Sequence, residues 1–239
     1  MSAIAANVGD SIPERLRALV DTVGGRVVFT TSFGIEDQLI AHHIFTERLP
    51  VEVVTLDTGR LFPETYTVWQ DTEERYGVRI RAFYPDAQAV AEMVADAGIN
   101  GFYYSTDSRL SCCEVRKVEP LRRALAGAAA WITGLRADQS SQRSDTPFAS
   151  WDAERALVKI APLFDRNREQ VAADCAELRV PINELHSKGF LSIGCAPCTR
   201  AIRPGEPERA GRWWWEQDEA KECGLHVDAD GRLVRSAAA

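Results

Sequence analysis

Six cysteines stand in this chain of 239 residues, at positions 112, 113, 175, 195, 198 and 223, and four of them fall into two pairs. Cys195-Ala-Pro-Cys198 is a CxxC, a spacing at which two thiolates can grip one metal ion or one cluster. Cys112 and Cys113 are adjacent and can supply two more thiolates from a distant segment. Four thiolates suit tetrahedral zinc or an iron–sulfur cluster. Neighbouring residues meet on one tetrahedron with difficulty, whereas in a 4Fe–4S cube each cysteine takes a different iron. The adjacent pair therefore tilts the choice toward a cluster. A thioredoxin-like dithiol is the other use of a CxxC, but this one does not open a helix after an early strand.

The remaining two cysteines differ from these and from each other. Cys175 shares a helical face with Val171 and Leu178 and is expected in the core. Cys223 lies in the polar stretch "EAKECGLHVDADGRL", with Lys221 before it and His226 after it. A thiol of ordinary pKa, roughly 8.5, is shifted toward thiolate by such basic neighbours. An incidental cysteine is the alternative from local residues alone. Positive charge also follows the paired cysteines, where Lys117 is a candidate for chemistry and Arg116 is expected to face solvent. Arg200, Arg203, Arg209 and Arg212 follow the CxxC within thirteen residues.

These side chains need a frame, and hydrophobic periodicity supplies one. Ser11-Ile-Pro-Glu14 is a capping box that opens a helix to about Val23. "RVVFTTS" is a buried strand, "GIEDQLIAHHIF" a helix, "VEVVTLD" a strand, and "FPETYTVWQDTEERYG" a helix ending at Gly77. "VRIRAF" then "DAQAVAEMVADAG" repeat the alternation. A helix around residues 108–125, a strand "AAWITG", an apolar stretch "ALVKIAPL" and a helix "NREQVAADCAELR" extend it. This order predicts an α/β fold with a Rossmann-like parallel sheet and an irregular C-terminal extension. One domain over residues 11–215 is expected, followed by a mobile tail, 216–239, that carries Cys223.

Ligands of such sheets sit beyond the carboxyl ends of the strands. Three junctions there are polar and glycine-bearing: "TTSFGIED" with Ser32, Phe33 and Gly34; "LDTGR" with Asp57, Thr58, Gly59 and Arg60; and "ITGLRADQSSQR" with Gly134, Arg136 and Arg143. Neither GxxxxGK[ST] nor GxGxxG occurs, yet three such junctions, two of them with arginines, point to an anionic nucleotide pocket. The net charge of −7 argues against a broad basic face for nucleic acid. No apolar run approaches the roughly 20 residues that span a bilayer. The N-terminus lacks the features of a secretory signal, so a cytoplasmic address is expected.

"CCEVRKVEPL", "CAPCTR", "GEPERAGRWWWE", "KECGLH", "SFGIED" and "LDTGR" together resemble the assimilatory adenylyl-sulfate (APS) reductases of the phosphoadenylyl-sulfate (PAPS) reductase family. The resemblance runs from about residue 30 to 226. It implies the adenine nucleotide alpha-hydrolase type of fold. The SGGxDS loop of the related pyrophosphatases is absent, and Phe33 stands where they carry glycine. It further implies one 4Fe–4S cluster per chain on Cys112, Cys113, Cys195 and Cys198, with Lys117 between cluster and substrate. Ser32, Arg60, Arg143, Arg209 and Arg212 would contact the nucleotide or phosphosulfate. Cys223, with His226 nearby, would attack APS, and thioredoxin or glutaredoxin would release sulfite for cysteine biosynthesis. A homo-oligomer is also implied. PAPS as substrate, or an iron–sulfur redox sensor, are the alternatives.

Overall fold

The computed structural model describes residues 9–216, so Cys223, His226 and nearly all of the expected tail lie outside the described residues. The first element, α1 (Ile12–Thr22), starts at the expected capping box: Glu14 N donates to Ser11 Oγ and Ser11 N to Glu14 Oε2. It turns Ile12, Leu16 and Leu19 inward. The chain then alternates: β1 (Val27–Thr31), α2 (Ile35–Thr46), β2 (Val51–Leu56), α3 (Pro63–Tyr76), β3 (Arg81–Phe83) and α4 (Ala87–Ala97). Next come α5 (Thr106–Cys113), a π-helical turn (Glu114–Val118) and α6 (Glu119–Leu125). β4 (Ala130–Ile132), β5 (Ala149–Asp152), β6 (Leu157–Ile160) and α7 (Arg168–Glu177) complete the frame.

Six strands form one sheet in the order β3-β2-β1-β4-β6-β5, with every pair parallel except β5 with β6. The antiparallel edge strand β5 was not foreseen, since "ASWD" is short and Trp151 faces solvent. The central strands are apolar on both faces because both are covered. Successive side chains alternate sides. Val27 and Phe29 join Leu16 of α1, Leu39 and Ile44 of α2, and Val171 and Cys175 of α7. Val28 and Trp131 face the other way, onto Leu121 and Leu125 of α6. Cys175 is thus core, as expected. The single helix expected over residues 108–125 is instead two short α-helices joined by the π turn. No helix among the described residues is long and apolar enough to cross a membrane.

Strand order reverses at the neighbours β1 and β4, which pair Val27 with Ala130 and Phe29 with Ile132. Chains leaving the carboxyl ends of these two strands diverge to opposite sides and open a crevice. Ser32 follows the end of β1 directly, and Gly134 stands two residues beyond the end of β4.

Candidate active site

The crevice is a cleft of about 170 Å³, open to solvent. Ser32, Gly34 and Asp37 line it from the β1–α2 junction, Gly134, Gln139 and Arg143 from the segment after β4, and Arg209, Arg212 and Trp213 from the C-terminal extension. Lys117 reaches it from the π turn. Expected residues from the first and third junctions therefore converge with the distant arginines on one space.

Phe33 is the exception at the first junction. Its φ of 59° is left-handed, which costs a bulky residue about 1–2 kcal/mol. Its buried ring stacks on Trp69 with centroids 5.4 Å apart, and burial of an aromatic side chain, about 1.5–3 kcal/mol, offsets the strain. The turn sends Phe33 into the core and leaves Ser32 and Gly34 at the cleft, so its ring is not a cleft contact. Gly34 caps α2 without a side-chain bond, which leaves first-turn N–H groups at the cleft for an anion.

Asp37 was missed as a site residue, although it closes the "SFGIED" motif. Ser32 N and Oγ both donate to its Oδ2, at 2.6 and 2.7 Å. Burial pushes its carboxyl up to about 6, against the pull of the Ser32 bonds and Lys117. A Cβ at position 134 would stand 2.2 Å from Asp37 Oδ1, so only glycine fits the junction opposite.

Arg136 was expected to meet an anion and does not. Its guanidinium is fully buried and bound to three carboxylates: Nε to Glu36 Oε1 (2.9 Å), Nη1 to Asp138 Oδ2 (2.8 Å) and Nη2 to both oxygens of Glu208. The network ties the N-terminal turn of α2 to the segment that bears Arg209. Buried groups of this kind must be matched or they are costly, and here the match is spent inside the protein. Arg212 lies across Gly194, where a Cβ would come within 2.3 Å of Nη2. Its guanidinium and that of Arg109 sandwich the Trp213 ring, each 4.6 Å from the centroid.

Beside the cleft lies a second, smaller cavity of about 30 Å³, lined by Cys112, Cys113, Cys195 and Cys198 together. Backbone pairing of Trp213 N with Cys198 O and Arg200 N with Gly211 O fixes the CxxC segment to the arginine segment. Phe102, Trp213 and Trp215 pack around the cysteines and make the surroundings apolar. Of the "LDTGR" junction, Leu56 lines the cleft, whereas Thr58 and Arg60 line this cavity. Thr58 Oγ1 lies 3.3 Å from Cys195 Sγ, and Arg60 O accepts from Ala196 N. Asp57 accepts from Gly59 N and Tyr66 Oη and so shapes the turn. Arg60 donates to Ile99 O and Asn100 Oδ1 over the Phe102 ring. Arg116, expected in solvent, is buried and donates to Thr58 O at 2.7 Å. Lys117 alone among the described residues lines both cavities.

Burial pushes the Cys198 thiol up to about 12 and raises Cys112 as well. Such thiols stay protonated until a cation takes the proton's place. No three His, Cys, Asp or Glu side chains among the described residues converge closely enough for a single metal ion. Four sulfurs spread around one apolar space suit a polynuclear group better than zinc. Within the tryptophan run, Trp213 is buried, Trp214 is exposed, and Trp215 meets Tyr103 edge-on at 4.5 Å.

With this geometry in place, comparison with known proteins is informative. Residues 26–201 match the phosphoadenosine phosphosulfate reductase domain. The adenosine 5′-phosphosulfate reductase of Agrobacterium fabrum is 59% identical over 210 residues, 88% of this chain and 81% of that protein. That of Allochromatium vinosum is 49% identical over 223 residues, 91% of this chain and 87% of its own. Among solved structures, the phosphoadenylyl-sulfate reductase of Candida auris in its phosphate complex superposes with a TM-score of 0.70 at 28% identity, covering 84% of this chain and 95% of that one. Yeast FAD synthetase shares the fold alone: TM-score 0.52, 16% identity, 84% of this chain and 69% of that one.

Proposed function

The chain belongs to the phosphoadenosine phosphosulfate reductase family, and we propose that it reduces adenosine 5′-phosphosulfate to sulfite and AMP with electrons from a dithiol protein. The observation that carries this is the shared wall: Lys117 lines both the anion-suited cleft and the four-cysteine cavity. The similar proteins are adenosine 5′-phosphosulfate reductases, which supports APS as the substrate. Lys117, Arg143, Arg209 and Arg212 are the cations of the cleft wall, and they neutralise the phosphosulfate and receive the charge that develops on the leaving phosphate.

Cys223 is the proposed nucleophile. Its thiolate attacks the sulfate sulfur, the S–O bond to phosphate breaks, and AMP leaves with the electron pair. Cys223 then carries an S-sulfonate. No second cysteine lies near Cys223 in "EAKECGLHVDADGRL" to resolve it. A thioredoxin or glutaredoxin thiolate attacks Cys223 Sγ, sulfite departs with the S–S electron pair, and the partner's second thiol reduces the mixed disulfide. Both electrons come from the dithiol, a chemistry at home in a reducing cytoplasm. His226, three residues on in the sequence, would favour the thiolate form.

Cys112, Cys113, Cys195 and Cys198 would hold a 4Fe–4S cluster, which when bound supplies a compact net-anionic group behind Lys117. The apolar shell of Phe102, Trp213 and Trp215 keeps water from those sulfurs. Enzyme mixed with sulfur-labelled APS and no reductant should acquire label on Cys223, released as sulfite by thioredoxin. Label retained in Cys223→Ser would defeat the assignment.

A further inference from the structure

His186 lies outside every motif that pointed to the site, in the turn Glu184–Lys188, and its ring lines the nucleotide cleft. Its Nδ1 stands 2.8 Å from Phe190 O. A carbonyl oxygen only accepts, so Nδ1 carries the proton. Arg168 Nη2 lies 3.4 Å from the same nitrogen; a donor facing a donor at that distance adds no bond, and the ring orientation is set by Phe190. Burial, with the positive charge of Arg168, holds the ring below the ordinary histidine range and therefore neutral at physiological pH. Nε2 is then a pure acceptor. It is buried and has no partner among the described residues. A buried unmatched acceptor costs free energy until a donor completes it.

We propose that His186 Nε2 accepts a hydrogen bond from the nucleoside half of the bound nucleotide and so orients it in the cleft. This rests on the reading of the cleft as an adenosine phosphosulfate site. The chemistry of such a ligand selects the half. At neutral pH the phosphosulfate offers oxygen acceptors and no donor. Adenosine offers three kinds of donor: the 6-amino group of adenine and the 2′- and 3′-hydroxyls of ribose. The cations Lys117, Arg143, Arg209 and Arg212 answer the acceptor-rich end, and His186 answers the donor-bearing end. Two ends read by opposite chemistry fix the direction in which the ligand lies. That direction decides whether the sulfate meets Lys117, the residue shared with the cysteine cavity.

AMP is the probe, titrated calorimetrically at pH 8 into the protein as isolated with its metal content intact. Three analogues each lack one donor: 2′-deoxy-AMP, 3′-deoxy-AMP and purine riboside 5′-monophosphate. One of them should bind the wild type about 10- to 100-fold more weakly than AMP, because its site then buries an unpaired acceptor. His186→Asn keeps a side-chain donor for Phe190 O and removes the Nε2 acceptor. It should weaken AMP by a similar factor and abolish the difference between AMP and that analogue. Equal binding of all three analogues to the wild type, which needs no variant to fold, would overturn the proposal, as would an undiminished difference in His186→Asn. Failure of AMP to bind the wild type at all would instead overturn the nucleotide reading, and this proposal with it.

Discussion

Arg116 and Lys117 are adjacent and alike in charge, and long-range bonding separates their roles. Thr58 O takes the Arg116 guanidinium into the protein, while Lys117 stays at the boundary of the two cavities. Lys117→Ala should lower kcat/KM for APS by about 10²- to 10³-fold, the usual loss for a preplaced charge-stabilising group. Iron content should hold near four per chain, about one cluster; iron lost in step with activity would make Lys117 a structural residue. Asp37 gives a pH signature. Its carboxyl is raised from 3.8 to about 6, so the folded state binds this proton more tightly than the unfolded chain. The stabilisation is complete below about pH 4 and is lost as pH rises through about 6, a change of about 3 kcal/mol. Asp37→Asn should flatten that slope in denaturant melts across this range. An unchanged slope would show that another group carries it.

Among the elements, the π turn Glu114–Val118 couples the paired cysteines to α6. Its extra residue sets the rotation of Cys112 and Cys113 relative to a helix locked in the core by Leu121 and Leu125. Inserting one alanine after exposed Glu114 should carry the cysteines about 100° around the helix axis. Iron content should collapse while far-UV circular dichroism stays close to wild type; full iron retention would mean the turn does not aim the pair. Most elements could be read in advance from capping, periodicity and strand composition, because those signals are local. The π turn could not, since "SRLSCCEVRKVEPL" has ordinary helical spacing. Edge strand β5 could not either, since its pairing with β6 follows from the sheet and not from "ASWD". The four cysteines were found together because their residue type constrains them. Arg136 was misjudged because its partners, Glu36 and Glu208, lie 100 and 72 residues away. His186 went unnoticed because an orphaned nitrogen is visible only in three dimensions.

For the whole molecule, the reversal of strand order between β1 and β4 opens the cleft, and the C-terminal extension closes one side of it. That extension pairs with the CxxC segment, is clamped through Glu208 to Arg136, and ends in the buried Arg109–Glu216 pair. The path from the last described residue to Cys223 is seven residues, at most about 24 Å of extended chain. The most direct measurement of the central claim is sulfite release by the anaerobically purified protein given thioredoxin, with APS and PAPS supplied in parallel. Sulfite and AMP formed in equal amounts from APS, at a kcat/KM well above that for PAPS, is the predicted result. No sulfite from APS, or a preference for PAPS, would contradict it.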